Sequence, residues 1–412
     1  MRYKYFVLCF SILILSLYLL IKDSNICQAQ AQKAQTEVSA NFLSNFGDLL
    51  DDFNDGNSIN NWGYLTYYGS GSGGSGNVSY VNGGYEGKCL KLEYNVQAAN
   101  SFFWYCSKLG DENLNSYNGL TFYVRGENGG EYFKIELKTK AIANQGGRSN
   151  AHLYITDYLD GGVTTNWQKV VIPFKNFANI TNFNYMKELT IVFEEYQSGV
   201  NGSSKTGTVY IDNIKFTNVA GGFDVIRIDH YGDKVGICAL GGQVNYCKSG
   251  TGDGSFTYTD VDGEYHNSKN GLKITYQNIP CGGGNNWFSV YHIFGGGADG
   301  WQKCKCDFSD YNYIKFWVKG GSNRPKQLQV VLKDSDGDGY YSGYTSESGG
   351  GNNPDITTNW QQFTFPLSNV VNNSAVNLNK LVEISFTIDG WCTVDPGSIS
   401  GTVYIDEIQF EK

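Results

Sequence analysis

The chain has 412 residues, 31 basic against 40 acidic, and a formal net charge of −9 at pH 7. That balance excludes a nucleic-acid binder, because no basic stripe exists to neutralise phosphates. With 52 Gly, 30 Tyr, 24 Phe and only 2 Met, and no sustained helical period, the composition excludes a helical bundle and points to an aromatic, glycine-punctuated β protein.

At the N-terminus, Arg2 and Lys4 precede the apolar run Phe6 to Ile21, and Ala29-Gln30-Ala31 follows. This is the pattern of a secretory signal peptide over 1–31. The run is short for a membrane span, so the mature chain is expected to have no transmembrane span; an uncleaved N-terminal anchor is the alternative. Residues 32–47, rich in Gln, Ala and Asn, read as a flexible leader. Secretion, to the medium, the cell surface or a periplasm, is the expected destination.

Beyond the leader the sequence repeats. Leu50-Asp51-Asp52-Phe53 opens the first copy and Ile228-Asp229-His230-Tyr231 the second, each with an Asp ahead of an aromatic. The Gly/Ser tract Gly69 to Gly76 reads as an exposed loop. Cys89 to Tyr94 and Gly271 to Tyr276 alternate apolar and polar residues as half-buried strands do. Tyr117 to Gly126 corresponds to Tyr311 to Gly320. Parity puts Leu120, Phe122 and Val124 (Ile314, Phe316 and Val318) on the core side, with Tyr123 and Arg125 (Lys315, Trp317 and Lys319) facing outward. In the next strands Phe133, Ile135 and Leu137 point in while Tyr132, Lys134 and Glu136 point out; Leu328, Val330 and Leu332 oppose Gln329 and Lys333. Leu153 opposes His152 and Tyr154.

Thr164-Thr165-Asn166-Trp167-Gln168 returns as Thr357-Thr358-Asn359-Trp360-Gln361, each leading into a strand that reaches Pro173 or Pro366. Trp167 and Trp360, shared and strand-initial, are assigned to structure. Each copy closes on a β-branched strand, Gly207 to Phe216 or Gly401 to Phe410. Asp212 and Asp406 sit in its middle, where Asp is disfavoured and costly to bury unpaired. These elements predict two tandem jelly-roll β-sandwiches, over 48–217 and 223–412, joined by a linker at 218–222.

Eight cysteines follow the signal region, an even number in each repeat, which fits disulfides in an oxidising compartment. Cys89 with Cys106 across a hairpin, and Cys238 with Cys247 across a short loop, are the expected pairs. The connectivity of Cys281, Cys304, Cys306 and Cys392 stays open. Asp334-Ser335-Asp336-Gly337-Asp338-Gly339 has the opening spacing of an EF-hand loop, but Thr345 stands at position twelve and no helices flank it; it reads as a glycine-rich hairpin turn. No Gly-x-Ser-x-Gly elbow, His-Glu-x-x-His or phosphate loop occurs, so the chain is expected not to be an enzyme. Hydrolysis would need two carboxylates across a cleft, for which Glu136 and Glu194 are an example, although ordinary polar faces contain such pairs.

Taken together, the Asp before an aromatic, the mid-domain "Tyr-x-x-Ile/Leu-x-Phe-x-Val-x-Gly" strand, the Asn-Trp-Gln turn and the closing "Gly-Thr-Val-Tyr-Ile-Asp-x-Ile-x-Phe" strand resemble secreted bacterial carbohydrate-binding modules. The group is the galactose-binding-like jelly-roll class that includes family 11 modules and complex I intermediate-associated-type domains. The resemblance implies a secreted, non-catalytic binder of polysaccharide or glycan, with secreted glycoside hydrolases or the cell surface as further partners. It also implies one structural Ca2+ per domain, held by Asp212 with Asp51 and Asp52, and by Asp406 with Asp229 or Asp233. Aromatics to stack on sugar rings and polar groups to meet hydroxyls come from the outward positions: Tyr123, Arg125, Tyr132, Lys134, Glu136, His152 and Tyr154 in the first copy, Lys315, Trp317, Gln329, Lys333, Tyr340 and Tyr341 in the second. Trp317, outward between two lysines, is the leading candidate. A surface or extracellular-matrix structural protein, and a jelly-roll polysaccharide lyase or hydrolase, are the competing readings.

Overall fold

The computed structural model describes residues 49–412, apart from 140–151, 160, 179, 181, 201–202, 221, 232–235, 267–269, 282–284, 296–302, 342–354 and 391–398. The signal-peptide and leader expectations, together with Asp233, Thr345 and Cys392, lie outside the described residues.

Among the described residues, eleven strands build each half. The first comprises β1 (Leu49–Asp51), β2 (Thr66–Gly71), β3 (Ser75–Asn82), β4 (Lys88–Asn95), β5 (Phe102–Glu112), β6 (Gly119–Gly126), β7 (Lys134–Thr139), β8 (His152–Tyr154), β9 (Gln168–Pro173), β10 (Met186–Glu194) and β11 (Thr206–Thr217). The second comprises β12 (Val225–Asp229), β13 (Val244–Ser249), β14 (Asp253–Thr259), β15 (Gly271–Gln277), β16 (Trp287–Ile293), β17 (Tyr313–Gly320), β18 (Gln329–Asp334), β19 (Gly339–Tyr341), β20 (Gln361–Pro366), β21 (Leu381–Asp389) and β22 (Gly401–Glu411).

Each half stacks a six-stranded sheet on a five-stranded one. The six-stranded sheets run β3-β4-β11-β6-β9 with β1 beside β11, and β14-β15-β22-β17-β20 with β12 beside β22. The five-stranded sheets run β2-β5-β10-β7-β8 and β13-β16-β21-β18-β19. All pairings are antiparallel, and chain neighbours such as β4 and β5 cross between sheets, the wiring of a jelly roll. The predicted parity holds: Leu120, Phe122, Val124, Phe133, Ile135 and Leu137 join one core, and Ile314, Phe316, Val318, Leu328, Val330 and Leu332 join the other. The Asn-Trp-Gln turns are structural in the same way in both copies, since the Gln168 and Gln361 side-chain oxygens each accept the backbone N–H of Thr164 or Thr357 at 2.7 Å.

The closing-strand Asp finds protein donors in both copies. Asp212, wholly buried, accepts from the Asn213 N–H at 2.7 Å and the Glu86 N–H at 2.9 Å. Asp406 accepts from the Glu407 and His266 N–H groups, both at 2.8 Å. Each Asp sits where the ladder register shifts, and the following residue, Asn213 or Glu407, is left-handed at φ 51° or 52°. The carboxylate therefore caps a bulge whose freed amides would otherwise be unpaired.

Two expectations are corrected. Gly69 to Gly76 is not a loop: β2 ends and β3 begins within it. A Cβ on Gly69 would lie 2.7 Å from the Trp104 ring, so this glycine lets an aromatic lie across the strand. The disulfides fail too. Cys89 is on β4 of one sheet and Cys106 on β5 of the other, with no shared hairpin, while buried Cys238 gives its thiol to the Ile293 carbonyl at 3.3 Å and Cys247 is exposed. All four are free thiols. The Asp334 segment is the expected hairpin turn between β18 and β19, its Oδ1 accepting the N–H groups of Asp336 and Asp338 at 2.9 and 3.1 Å.

Candidate functional site

The outward residues singled out in the sequence divide between two opposite faces of each sandwich. Tyr123 and Arg125, like Lys315 and Trp317, lie on the six-stranded sheets, and there the protein fills its own aromatic surface. Tyr85 stacks on Tyr123 at 3.6 Å and 11°. The Arg125 guanidinium lies 3.7 Å from the Tyr210 ring centroid and 5.3 Å from that of Trp167, a cation–π arrangement. His266 covers one face of Trp317 at 3.6 Å and 16°, and Lys315 pairs with Glu411 at 2.7 Å. A sugar reaching Trp317 would have only its other face.

The remaining candidates lie on the five-stranded sheets, where register builds a polar face. In the first sandwich one row runs Gly69, Trp104, Val192, Lys134, Tyr154, and the next runs Tyr67, Cys106, Thr190, Glu136, His152. A third holds Lys108, Glu188 and Lys138. Lys134 bridges Glu136 at 3.0 Å and Glu194 at 2.7 Å; Lys138 reaches Glu136 at 3.6 Å and Glu188 at 3.5 Å; Lys108 lies 3.9 Å from Glu188. Burial alone would lower the Lys134 ammonium, but Glu136 and Glu194 outweigh it and hold the group above the usual lysine range. Tyr67 donates to Glu188 at 2.7 Å and meets Trp104 edge-on at 5.2 Å. The face thus joins a half-exposed indole to a lattice of three ammonium groups and three carboxylates that cancel one another. Tyr132 and Tyr154, expected to stand in solvent, are instead stacked on each other at 5.4 Å and buried; neither ring offers a free face.

The second sandwich uses the same face with different chemistry. Trp287 stands opposite Asp389, and the next row runs Cys247, Ser289, Thr387, Gln329. Asn245, Tyr291, Ser385 and Val331 follow, with Tyr341 paired to Val331 by backbone and Tyr340 to Leu332. Thr387 donates to Ser289 at 2.7 Å, and Glu383 is held by Lys303 at 2.7 Å and Lys333 at 2.8 Å. This face is built mainly of hydroxyls and an amide around one indole.

Trp104, Tyr67, Glu188, Trp287, Ser289, Tyr291 and Thr387 escaped the sequence reading. In Phe102-Phe103-Trp104-Tyr105 every residue is aromatic, so alternation gives no inward and outward sign. The readable signal was the glycine at 69, whose missing side chain marks where a ring lies.

For a metal, the first sandwich offers a fitting donor. Asp51 is 2% exposed; its Oδ1 accepts from the Phe53 N–H at 2.9 Å, while Oδ2 is buried with no hydrogen-bond partner. Burial pushes its carboxyl up to about 7, with Asp55, Asp52 and Asp212 adding repulsion. A hard cation suits such oxygens. In the second sandwich protein groups already occupy the equivalent place: Asp229 Oδ1 accepts from the Tyr231 N–H at 2.8 Å and Oδ2 lies 3.5 Å from His292 Nε2. Among the described residues, the group of three ligating atoms within 4.8 Å of one another is Asp157, Asp229 and His230, while β12 pairs with β22 so that Asp229 lies opposite Ile408, two residues beyond Asp406. Among those residues no helix is long and apolar enough to cross a membrane.

Similar solved structures include a family 30 carbohydrate-binding module of a Clostridium thermocellum cellulosomal cellulase, 23% identical over 38% of this chain and 92% of that one, with a TM-score of 0.30. A family 11 module from the same organism, solved with a β-1,3-1,4-mixed-linked tetrasaccharide, is 13% identical over 45% of this chain and 95% of its own, also at 0.30. No curated protein matches. The family model for carbohydrate binding domain 30 matches twice, at residues 61–218 and 242–412, most of the chain and one match per sandwich, and the chain belongs to that family.

Proposed function

We propose that this carbohydrate-binding protein is a secreted, non-catalytic binder of neutral polysaccharide that uses the outer faces of its two five-stranded sheets. The observation that carries the reading is the composition of those faces: an indole beside polar groups whose charges balance. Sugar rings present apolar faces to an indole and hydroxyls that both donate and accept, which a lattice of Lys, Glu, Ser, Thr and Gln can meet. A face with net charge of one sign would select charged glycans; these do not.

The non-catalytic reading is supported by Glu136 and Glu194, the pair a hydrolase would use. One ammonium, Lys134, binds both, whereas a hydrolase leaves its two carboxyl groups free to reach opposite sides of the scissile bond. The extracellular or cell-surface location and association with glycoside hydrolases belong to this proposal. So does calcium, supported at Asp51 with Asp52 and Asp212 by the unpartnered oxygen of Asp51; at Asp229 with Asp406 the His292 contact competes with it.

Calorimetry of the chain against mixed-linked β-glucan tetrasaccharide, xylan, mannan and galactan tests the function. Binding to a neutral glycan that weakens in Trp104→Ala or Trp287→Ala is expected. Absence of binding across the panel overturns the reading.

A further inference from the structure

The two sandwiches meet along a cleft of about 370 Å³, within the size range of small-molecule sites, which favour domain interfaces. Its walls are aromatic. Phe174 and Phe183 of the first sandwich stack at 4.3 Å and 9°, and half-buried Phe223 comes from the start of the second. Its rim mixes signs: Lys175, Lys305, Asp307 and Asp310 line it together. Lys175 crosses from the first sandwich to the Asp307 carbonyl at 3.0 Å and the Asp310 carboxylate at 3.6 Å. Lys305 is exposed and has no ion-pair partner among the described residues.

The cleft is also built to stay open. Beside it the sandwiches are joined by hydrogen bonds from buried or half-buried groups: Tyr158 Oη to the Ala239 carbonyl at 2.9 Å, Asn176 Nδ2 to the Ala239 and Arg227 carbonyls at 3.1 and 3.3 Å, and Arg227 Nη1 to the Asp157 carbonyl at 2.9 Å. Asn176 itself is wholly buried. These bonds hold the two sandwiches together beside the cleft, so its walls are in place before any ligand arrives.

We infer that this cleft is a separate glycan site that takes the end of a chain. Aromatic walls fit the apolar faces of a sugar ring, and lysine donors beside aspartate acceptors fit its hydroxyls. At about 370 Å³ the cleft has room for a short stretch of sugar, which the end of a chain supplies. The inference rests on the proposed carbohydrate function and assigns it a third site.

The test uses calorimetry of the full chain with cellobiose and the mixed-linked tetrasaccharide. Phe183→Ala and the surface change Lys305→Ala are set against Trp104→Ala with Trp287→Ala. Cellobiose binding that falls about tenfold or more in the two cleft variants, and persists in the double tryptophan variant, supports the site. Lys305→Ala removes an exposed side chain, so its result stands even if Phe183→Ala fails to fold. Wild-type tetrasaccharide binding lost only with the tryptophans, and unchanged in both cleft variants, overturns the cleft and leaves the proposed function standing. Failure of the wild-type chain to bind any glycan overturns both. A cleft that takes the apolar dye anilinonaphthalene sulfonate, undisplaced by either sugar, overturns its assignment to glycan.

Discussion

Trp104 and Trp287 occupy different rows of the equivalent sheet face, and the proposed recognition turns on one of them in each sandwich. Truncating either to Ala removes stacking surface on the order of 1–2 kcal/mol, roughly tenfold in Kd. Calorimetry should show that loss with little change in Tm, because both rings are partly exposed. Gly69 offers a second probe of the same spot. In Gly69→Ala the new Cβ would meet the Trp104 ring at 2.7 Å, so the indole must move. Glycan affinity is expected to fall severalfold, with tryptophan fluorescence reporting the displacement. Both tests separate the five-stranded face from Trp317, the position that sequence favoured. Removing Trp317 should cost mainly stability, because its ring is half of a stack with His266.

Among elements, β1 and β11 carry the calcium proposal. β1 pairs with β11 so that Asp51 lies opposite Ile214, two residues beyond Asp212. If a cation sits on Asp51, calcium at about a hundred times its Kd should add roughly 2.7 kcal/mol of stability. For sandwiches of this size that is about 5–10 °C in Tm. Melting with and without chelator measures it, and Asp51→Asn should abolish the difference. A midpoint indifferent to chelator removes calcium from the account. The element scale also shows how far the sequence could be read. Strands with clean alternation, β6, β7, β11, β17, β18 and β22, were legible with their faces. β2 and β3 were hidden in a glycine tract, because glycine signals a turn and a ring laid over a strand equally well.

For the whole molecule, the consequential feature is titration in the second core. His292 is fully buried, 3.0 Å from the Tyr231 hydroxyl, and burial lowers its pKa from 6.5 to about 3. Below pH 6.5 the unfolded chain takes up a proton that the folded one refuses until about pH 3. The stability from the neutral ring is therefore complete above pH 6.5 and is lost as pH falls toward 3. Between pH 6.5 and 5 this amounts to about 2 kcal/mol. Thermal melts at pH 7 and 5 should show the decline, and His292→Gln should flatten it. Equal midpoints for the wild type at both values would contradict the assignment. His230, also buried and lowered chiefly by burial, with Arg227 adding to it, contributes in the same direction at the contact between sandwiches.

By itself the sequence determined the repeat, the jelly-roll class and the inward side of most strands, because burial with period two writes directly into residue order. It also exposed Asp212 and Asp406 as strand residues in need of partners. Tertiary structure decided who those partners are: one backbone amide at the bulge itself, and one brought from a loop more than a hundred residues away in the chain. It likewise separated Cys89 from Cys106, turned Tyr132 onto Tyr154 and brought Trp104 beside the Lys134 lattice. Each of these outcomes depends on which sheet a strand joins and in what register. Such long-range pairings are set by the packing of the whole sandwich, and no local pattern in the chain encodes them.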